Sequence, residues 1–332
     1  MSELTVLGAG SYGTALAIQL ARKEQPTTLW ARNAEHVARL EADRENRRYL
    51  PGAKLPHKLA LQSDLAAAVA AGEHVVSAVP SHAFRATLQQ IQPMLKPGQG
   101  IAAACKGLEP GTGKLPHEVF ADVLGDAHPF AVISGPTFAK EVGIGLPTAV
   151  TVASADEAFA ETIAQAFHGK GFRAYTATDV PGVEIGGAVK NVMAIGVGIA
   201  DGLGLGANTR AALITRGLAE IMRLGEALGC QRETLMGLAG MGDLVLTCTD
   251  DQSRNRRMGL ALARGLSLEA AQDEIGQVVE GVRVSPEVHK LAQRLGVDMP
   301  ITEQVVRILT GEITPVEGVK ALAERPQKAE TE

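Results

Sequence analysis

The chain has 332 residues, 45% of them hydrophobic and 21% charged, enough for two packed domains and unlike a disordered or fibrous protein. Its 32 Lys+Arg against 37 Asp+Glu leave a net charge of −5, so no global positive field invites nucleic acid or an anionic membrane. Three scattered cysteines, Cys105, Cys230 and Cys248, include no CxxC pair and point to a reducing compartment without a disulfide framework.

Along the chain, residues 3–8 (ELTVLG) read as a short strand that runs straight into Gly8-Ala9-Gly10-Ser11-Tyr12-Gly13. A helix over 14–23 and a second strand over 27–31 complete a strand–turn–helix–strand unit. A charged helix is expected near 34–48, a helix over 63–71, and a buried strand over 73–79 ending at Pro80. Ser81 caps a helix running to about 92; then come a strand over 100–105, a helix over 114–124 and a strand over 129–134. Strands at Thr148–Ala153 and 172–176 flank a helix over 155–167. This alternation predicts a parallel, doubly wound sheet. After Pro181 only helical stretches follow, at 187–200, 210–228, 256–263, 267–273, 282–294 and 302–309. The expected architecture is therefore α/β, with a Rossmann-type dinucleotide-binding domain over 1–182 followed by an all-helical, substrate-binding domain over 183–332. The polar tail after Glu324 is expected to fray. Neither a signal peptide nor an uninterrupted run of 18 apolar residues is found, so a soluble cytoplasmic protein is expected.

The glycine string at 8–13 is weak evidence by itself in a chain with 37 glycines, but it follows a strand and opens a helix. There Gly8 permits the tight turn, Gly10 lets a pyrophosphate approach the backbone, and Gly13 lets helix and strand pack closely. The second strand ends in Trp30-Ala31-Arg32-Asn33, with no acid to accept ribose hydroxyls. An Arg at that edge suits the extra phosphate of NADP, so NADPH is expected to be preferred over NADH; the alternative for Arg32 is a solvated arginine at a helix start.

The stretch 186–196 (GGAVKNVMAIG) is helical in pattern and apolar nearly all round, yet carries Lys190. Burial pushes an ammonium pKa down toward the range useful for acid–base work; the alternative is a lysine snorkelling to solvent. Asp243, after Gly240-Met241-Gly242, can pair with Lys190. Ser253-Arg254-Asn255-Arg256-Arg257 concentrates cations suited to a small phosphorylated substrate, or else forms a solvated helix start. Lys106 and the Gly135-Pro136-Thr137-Phe138-Ala139-Lys140-Glu141 turn fall at strand carboxyl ends, where open α/β sheets bind ligands. The eight histidines show no zinc-ligand spacing, and no metal is expected.

The segments GAGSYGTALA, VPSH, ACKGLE, VISGPTFAKE, GGAVKNVMAIG, GLAGMGDLVLTCT, QSRNRR and VVEG, in this order over nearly the whole chain, resemble bacterial NAD(P)-dependent glycerol-3-phosphate dehydrogenase. The resemblance implies reversible reduction of dihydroxyacetone phosphate to sn-glycerol 3-phosphate, feeding glycerophospholipid synthesis, with a homodimer expected. It places the proton donor and acceptor on Lys190, oriented by Asp243. Substrate contacts fall on Lys106, Gly135, Thr137, Asp243, Ser253, Arg254 and Asn255. Beside the loop glycines, cofactor contacts fall on Ser11, Tyr12, Arg32, Tyr49, Lys106, Ala139, Arg254, Val278 and Glu280, while Asn191 and Thr247 match positions lining the same site. This chain departs from the pattern at Tyr12, where many members have Trp, and at Asn33, where some have an acid or His. Two other readings compete: a two-domain reductase of a hydroxy acid or ketopantoate, and a catalytically silent sensor of the NADP redox state.

Overall fold

The computed structural model describes residues 3–327 and 329. Eight strands form one sheet: β1 (Leu4–Leu7), β2 (Thr27–Trp30), β3 (Ala60–Gln62), β4 (His74–Ser77), β5 (Ile101–Ala103), β6 (Phe130–Ser134), β7 (Thr148–Ala153) and β8 (Phe172–Ala177). Their order is β3-β2-β1-β4-β5-β6-β7-β8. The chain reverses its winding direction between β1 and β4, and a crevice opens at such a switch point, at the carboxyl ends of the strands. The sheet's helices are α1 (Ser11–Arg22), α2 (Ala34–Asp43), α3 (Leu65–Ala71), α4 (Ser81–Ile91), α5 (Pro116–Leu124), α6 (Ala139–Ile144) and α7 (Glu157–Phe167). β1 and β5 are buried at every residue, as strands covered by helices on both faces must be.

The expectation of a wholly parallel sheet needs one correction. β7 runs antiparallel to β6, pairing Val132 with Ala153 and Ser134 with Thr151, and β8 then runs parallel to β7. The connection over 135–147 holds only the six-residue α6, too short to carry the chain back across a sheet face. Instead α6 packs on α1, and the Arg22 guanidinium donates to the Val142 and Gly143 carbonyls at 3.3 and 2.6 Å. Two more differences lie near β2. The charged helix ends at Asp43 instead of 48, with Arg44 in a left-handed conformation, and the short edge strand β3 was absent from the sequence reading. Buried Asn46 explains the early stop: its amide donates to the Ala9 carbonyl (3.0 Å) and to Thr14 Oγ1 (2.8 Å), drawing the chain back over the glycine-rich loop.

Among the described residues no strand follows Ala177. The second half consists of α8 (Val180–Gly202), α9 (Gly206–Ala227), α10 (Arg232–Met236), α11 (Asp243–Thr249), α12 (Arg254–Ala263), α13 (Leu268–Ile275), α14 (Glu280–Leu295), α15 (Pro300–Leu309) and α16 (Pro315–Ala323), with a π-turn at Leu238–Gly242. The sequence pattern does not mark α10, α11 or α16. α8 begins seven residues earlier than the pattern suggested, because the Asp179 carboxylate accepts from the Gly182 N–H at 2.9 Å and caps it. The expected domain seam at 182 thus lies inside the first turn of α8. By length and composition α8 could cross a membrane, but 94% of its most apolar window is buried inside the protein. It is the core helix of this half, wrapped by α9, α11, α12, α14 and α15. Its crossing with α12 is close enough to require glycine on both helices: a Cβ at Gly198 would lie 2.2 Å from the Arg256 carbonyl oxygen, and one at Gly259 2.1 Å from that of Ile195. This approach brings the first turn of α12 up against the middle of α8. The part of the expected frayed tail at 328 and 330–332 lies outside the described residues.

Candidate active site

At the carboxyl end of β1, Gly8 takes φ +109°, and a Cβ there would meet the Ala78 carbonyl oxygen at 3.1 Å. A Cβ at Gly13 would stand 1.9 Å from the Gly8 carbonyl oxygen, so loop and helix touch only without side chains. Gly10, the N-cap of α1, has open space where its Cβ would be and no side chain capping the helix. The first-turn N–H groups of α1 therefore face a cradle wide enough for an anion. Ser11 Oγ donates to the Tyr49 carbonyl at 2.6 Å, holding Tyr49 over this loop. Arg32 is exposed just past β2, where Asn33 caps α2 by accepting the His36 N–H at 2.8 Å.

On the other side of the cleft, Lys190 comes from the middle of α8 and is only 7% exposed. Its Nζ donates to Asp243 Oδ1 at 2.6 Å and to Thr247 Oγ1 at 2.9 Å. Asp243 and Thr247 stand one turn apart on α11, a spacing that aims both at one point. Asp243 is fully buried, and its second oxygen accepts from Lys106 Nζ at 2.7 Å. One carboxylate thus bridges two ammonium groups from opposite halves of the molecule. Lys106 also donates to the Gly135 carbonyl (2.8 Å) and Thr137 Oγ1 (3.3 Å), and it lies 5.6 Å from the centroid of the Tyr12 ring.

The two lysines differ electrostatically. Burial lowers the Lys190 pKa to about 8; Asp243 opposes that shift, while Lys106 adds to it. Burial is also the largest single influence on Lys106, but Asp243 and the Tyr12 hydroxyl outweigh it and hold Lys106 above the ordinary lysine range. Lys106 stays a fixed cation, whereas Lys190 can exchange a proton near neutral pH.

The basic run at 254–257 divides. Arg254 opens α12 and donates through Nη1 to the Val278 carbonyl at 2.8 Å, facing Glu280. Glu280 opens α14; burial raises its pKa against the pull of Arg254, and Ser81 Oγ lies 3.4 Å away. Arg256 turns aside to pair with Asp201 at 2.9 Å and Asp251 at 3.3 Å. Ser253 Oγ accepts the Arg256 N–H at 3.1 Å and so caps α12.

With this geometry in place, two family models match in tandem. One is described as NAD-dependent glycerol-3-phosphate dehydrogenase N-terminus and matches residues 3–160; the other is described as the C-terminus of the same enzyme and matches 179–320. The glycerol-3-phosphate dehydrogenase [NAD(P)+] of Pseudoalteromonas translucida is 58% identical over 330 residues, 99% of this chain and 98% of that one. The chain belongs to the NAD(P)-dependent glycerol-3-phosphate dehydrogenases. The homologue of that name from Shewanella halifaxensis is 55% identical over 331 residues, covering 99% of this chain and 98% of its own. The crystal structure of glycerol-3-phosphate dehydrogenase from Coxiella burnetii superposes with a TM-score of 0.94 at 48% identity, covering 98% of this chain and 99% of that one. A PanE/ApbA family ketopantoate reductase from Ralstonia eutropha shares the fold at 17% identity and a TM-score of 0.61, covering 96% of this chain and 99% of its own.

As a glycerol-3-phosphate dehydrogenase the protein is an NAD(P)-dependent oxidoreductase acting on a CH–OH group. Its residues fit such a cofactor: the open space at Gly10 and the uncapped start of α1 would take the pyrophosphate. Ser11 and Tyr12 lie in that loop, Tyr49 is bonded to Ser11, and Thr137, two residues before Ala139, donates to the Tyr12 hydroxyl at 3.3 Å. Val278 and Glu280 reach the cleft from the helical half with Arg254. The sequence reading did not anticipate that Asp243 is shared with Lys106, that Thr247 bonds Lys190, or that Arg256 leaves the site for Asp201. For the second, the Asp-x-x-x-Thr spacing adds to the resemblance, which already places Thr247 at the lining of the site. The other two depend on contacts 137 and about 55 residues apart in sequence, which periodicity does not report.

Proposed function

We propose that the protein reversibly reduces dihydroxyacetone phosphate to sn-glycerol 3-phosphate, with Lys190 as proton donor and acceptor. The observation that carries this reading is the Lys190–Asp243–Lys106 bridge, which supplies one titratable ammonium and one permanent one within a single buried site. When bound, the nicotinamide supplies a hydride to the carbonyl carbon. Lys190 Nζ gives its proton to the carbonyl oxygen as that carbon is reduced, and in reverse neutral Lys190 removes the hydroxyl proton. Asp243 and Thr247 hold Lys190 Nζ in one orientation, which limits the geometries it samples. Lys106 carries the positive charge that draws the carbonyl end of the substrate toward Gly135 and Thr137. Arg254, at the N-terminus of the ten-residue α12, holds the phosphate with help from the helix's own N–H groups. Asn255, one residue further, is within the same first turn.

Several finer assignments belong to the same reading. Residues 1–182 form the dinucleotide-binding domain and 183–332 the substrate-binding domain, with contacts to both ligands drawn from each across the cleft. Arg32 holds the 2′-phosphate and gives a preference for NADPH. The enzyme works in the cytoplasm as a homodimer, and its product feeds glycerophospholipid synthesis. The test is to mix protein and NADPH with dihydroxyacetone phosphate, unphosphorylated dihydroxyacetone, or ketopantoate, following nicotinamide absorbance. Oxidation of NADPH with the phosphorylated ketone alone is expected. Equal turnover with ketopantoate would overturn the substrate assignment, and no turnover with any of the three would leave a sensor.

A further inference from the structure

We propose that Arg48 is a second determinant of cofactor choice: with Arg32 it forms a two-arginine clamp for the 2′-phosphate that distinguishes NADP from NAD. Residues 32–58 hold seven Lys+Arg against four Asp+Glu, in a chain whose net charge is −5. Most of those cations are already engaged. Arg47 pairs with Asp43 at 3.3 Å, Lys54 with Glu45 at 2.5 Å and Lys58 with Glu24 at 3.5 Å, while Arg44 donates to the Pro56 and Leu59 carbonyls. Arg32, Arg39 and Arg48 are exposed and have no carboxylate or carbonyl partner among the described residues. A phosphate monoester carries about two negative charges at neutral pH, more than one exposed arginine neutralises.

Arg48 is placed by the glycine-rich loop itself, because the turn that carries it is tied to that loop at both ends. At one end the buried Asn46 amide donates to the Ala9 carbonyl at 3.0 Å, and its Oδ1 accepts the Tyr49 N–H at 3.2 Å. At the other, the Tyr49 carbonyl accepts from Ser11 Oγ at 2.6 Å. The Arg48 guanidinium stands over the Tyr49 ring, 5.0 Å from its centroid. A flat platform of this kind holds an exposed arginine in place and leaves its fork of N–H donors free for a phosphate. The same ring meets the His36 ring edge-on at 5.6 Å. His36 lies in the first turn of α2, three residues past Asn33 and four past Arg32. Tyr49 thus joins Arg48 to the end of β2, the edge where a Rossmann-type domain reads the ribose 2′ position. His36 adds no charge of its own there: burial foremost, with Arg39 and Arg48 adding to it, holds it below the ordinary histidine range. Arg39 is the weaker candidate, since it stands six residues along from the α2 cap, roughly 9 Å of helix rise, on no aromatic platform among the described residues.

This inference rests on the reading of Arg32 given above, and the experiment separates the two. Dissociation constants of NADPH and NADH are measured by fluorescence titration for the wild type and for Arg32→Ala, Arg39→Ala, Arg47→Ala and Arg48→Ala. Arg48→Ala is expected to lower the ratio of NADPH to NADH affinity about tenfold, the worth of an exposed charge-assisted contact, with NADH affinity within about twofold of the wild type. Arg47→Ala removes the same charge one position away, but from a guanidinium already paired with Asp43. It should leave the ratio within about twofold, for a screened surface charge. The Arg32→Ala/Arg48→Ala double variant should fall below either single one. The proposal is overturned if Arg48→Ala weakens both cofactors equally, which would make Arg48 a support of its turn. It is also overturned if Arg39→Ala or Arg47→Ala lowers the ratio as much, or if the double variant falls no lower than the singles. A drop with Arg32→Ala and none with Arg48→Ala overturns the clamp alone. A drop with Arg48→Ala and none with Arg32→Ala overturns the reading of Arg32 and leaves Arg48 as the 2′-phosphate contact, while a wild type without preference for NADPH overturns both. Should truncation to alanine disturb the turn, Arg48→Gln, which keeps part of the stem over the Tyr49 ring, carries the same comparison.

Discussion

The two sides of the cleft build their chemistry by different routes. On the sheet side, Gly8, Gly10 and Gly13 lie within six residues of one another, and the cradle offers backbone N–H groups at the uncapped start of α1. On the helical side, the decisive bonds join residues far apart: Lys190 to Asp243 across 53 positions, Asn191 to Asn255 across 64. The difference teaches that an anion cradle needs only local geometry and a helix dipole, whereas a lysine that titrates near neutrality needs a dry environment made by many chain segments. Burying an unpaired ammonium is costly; Asp243 offsets part of that cost for two lysines at once, without restoring the ordinary pKa of Lys190.

This contrast can be broken at either end. The largest effect is expected for Lys190→Ala, which should lower kcat by about 10³-fold, within the range for loss of a general acid, while NADPH affinity measured by fluorescence titration stays within about twofold. A matching loss of cofactor affinity would show that the two sides do not work separately. Next, Arg254→Ala should raise the KM for dihydroxyacetone phosphate about 10- to 100-fold, the worth of a charge-assisted hydrogen bond of about 1.5–3 kcal/mol; an unchanged KM removes Arg254 from the phosphate site.

A pH series sharpens the helical side further. Reduction requires protonated Lys190, so its kcat/KM should fall as pH rises through about 8, and oxidation, which requires the neutral amine, should rise over the same interval. A profile flat across pH 7–9 in both directions would place the proton elsewhere. The smallest effect belongs to the sheet side: Arg32→Ala should cut the ratio of NADPH to NADH affinity about tenfold, for one exposed charge-assisted contact. An undiminished ratio would mean that the 2′-phosphate is held by other groups.

Much of the sheet half was legible because its signals are short-range. The run from β1 through the glycine loop to α1 and β2 stands where periodicity put it, to within a few residues. What escaped had a tertiary cause. The end of α2 at Asp43 depends on Asn46 finding Ala9 and Thr14, and the antiparallel turn of β7 depends on α6 docking against α1. α11 has no clear sequence signal because its seven residues follow three glycines within six positions, yet packing against α8 makes it helical. Among the cations at 254–257 the family resemblance singles out Arg254, but the run itself carries no reason for the choice; Arg254 faces the cleft and Arg256 faces Asp201 because α12 crosses α8 at the Gly198–Gly259 contact.

Sequence by itself determined that this chain carries a glycine-rich cradle at a strand–helix junction, an apolar helix interrupted by one lysine, and a family pattern spanning nearly all of its 332 residues. The first two features live within windows of about ten residues, where covalent geometry and side-chain period are enough. The tertiary structure alone decided that Asp243 serves both Lys106 and Lys190, and that Lys190 and not Lys106 titrates near neutrality. The physical reason is that a pKa, a shared carboxylate and a hydrogen-bond direction depend on what surrounds a group in space, and α8 gathers those surroundings from segments up to 137 residues apart.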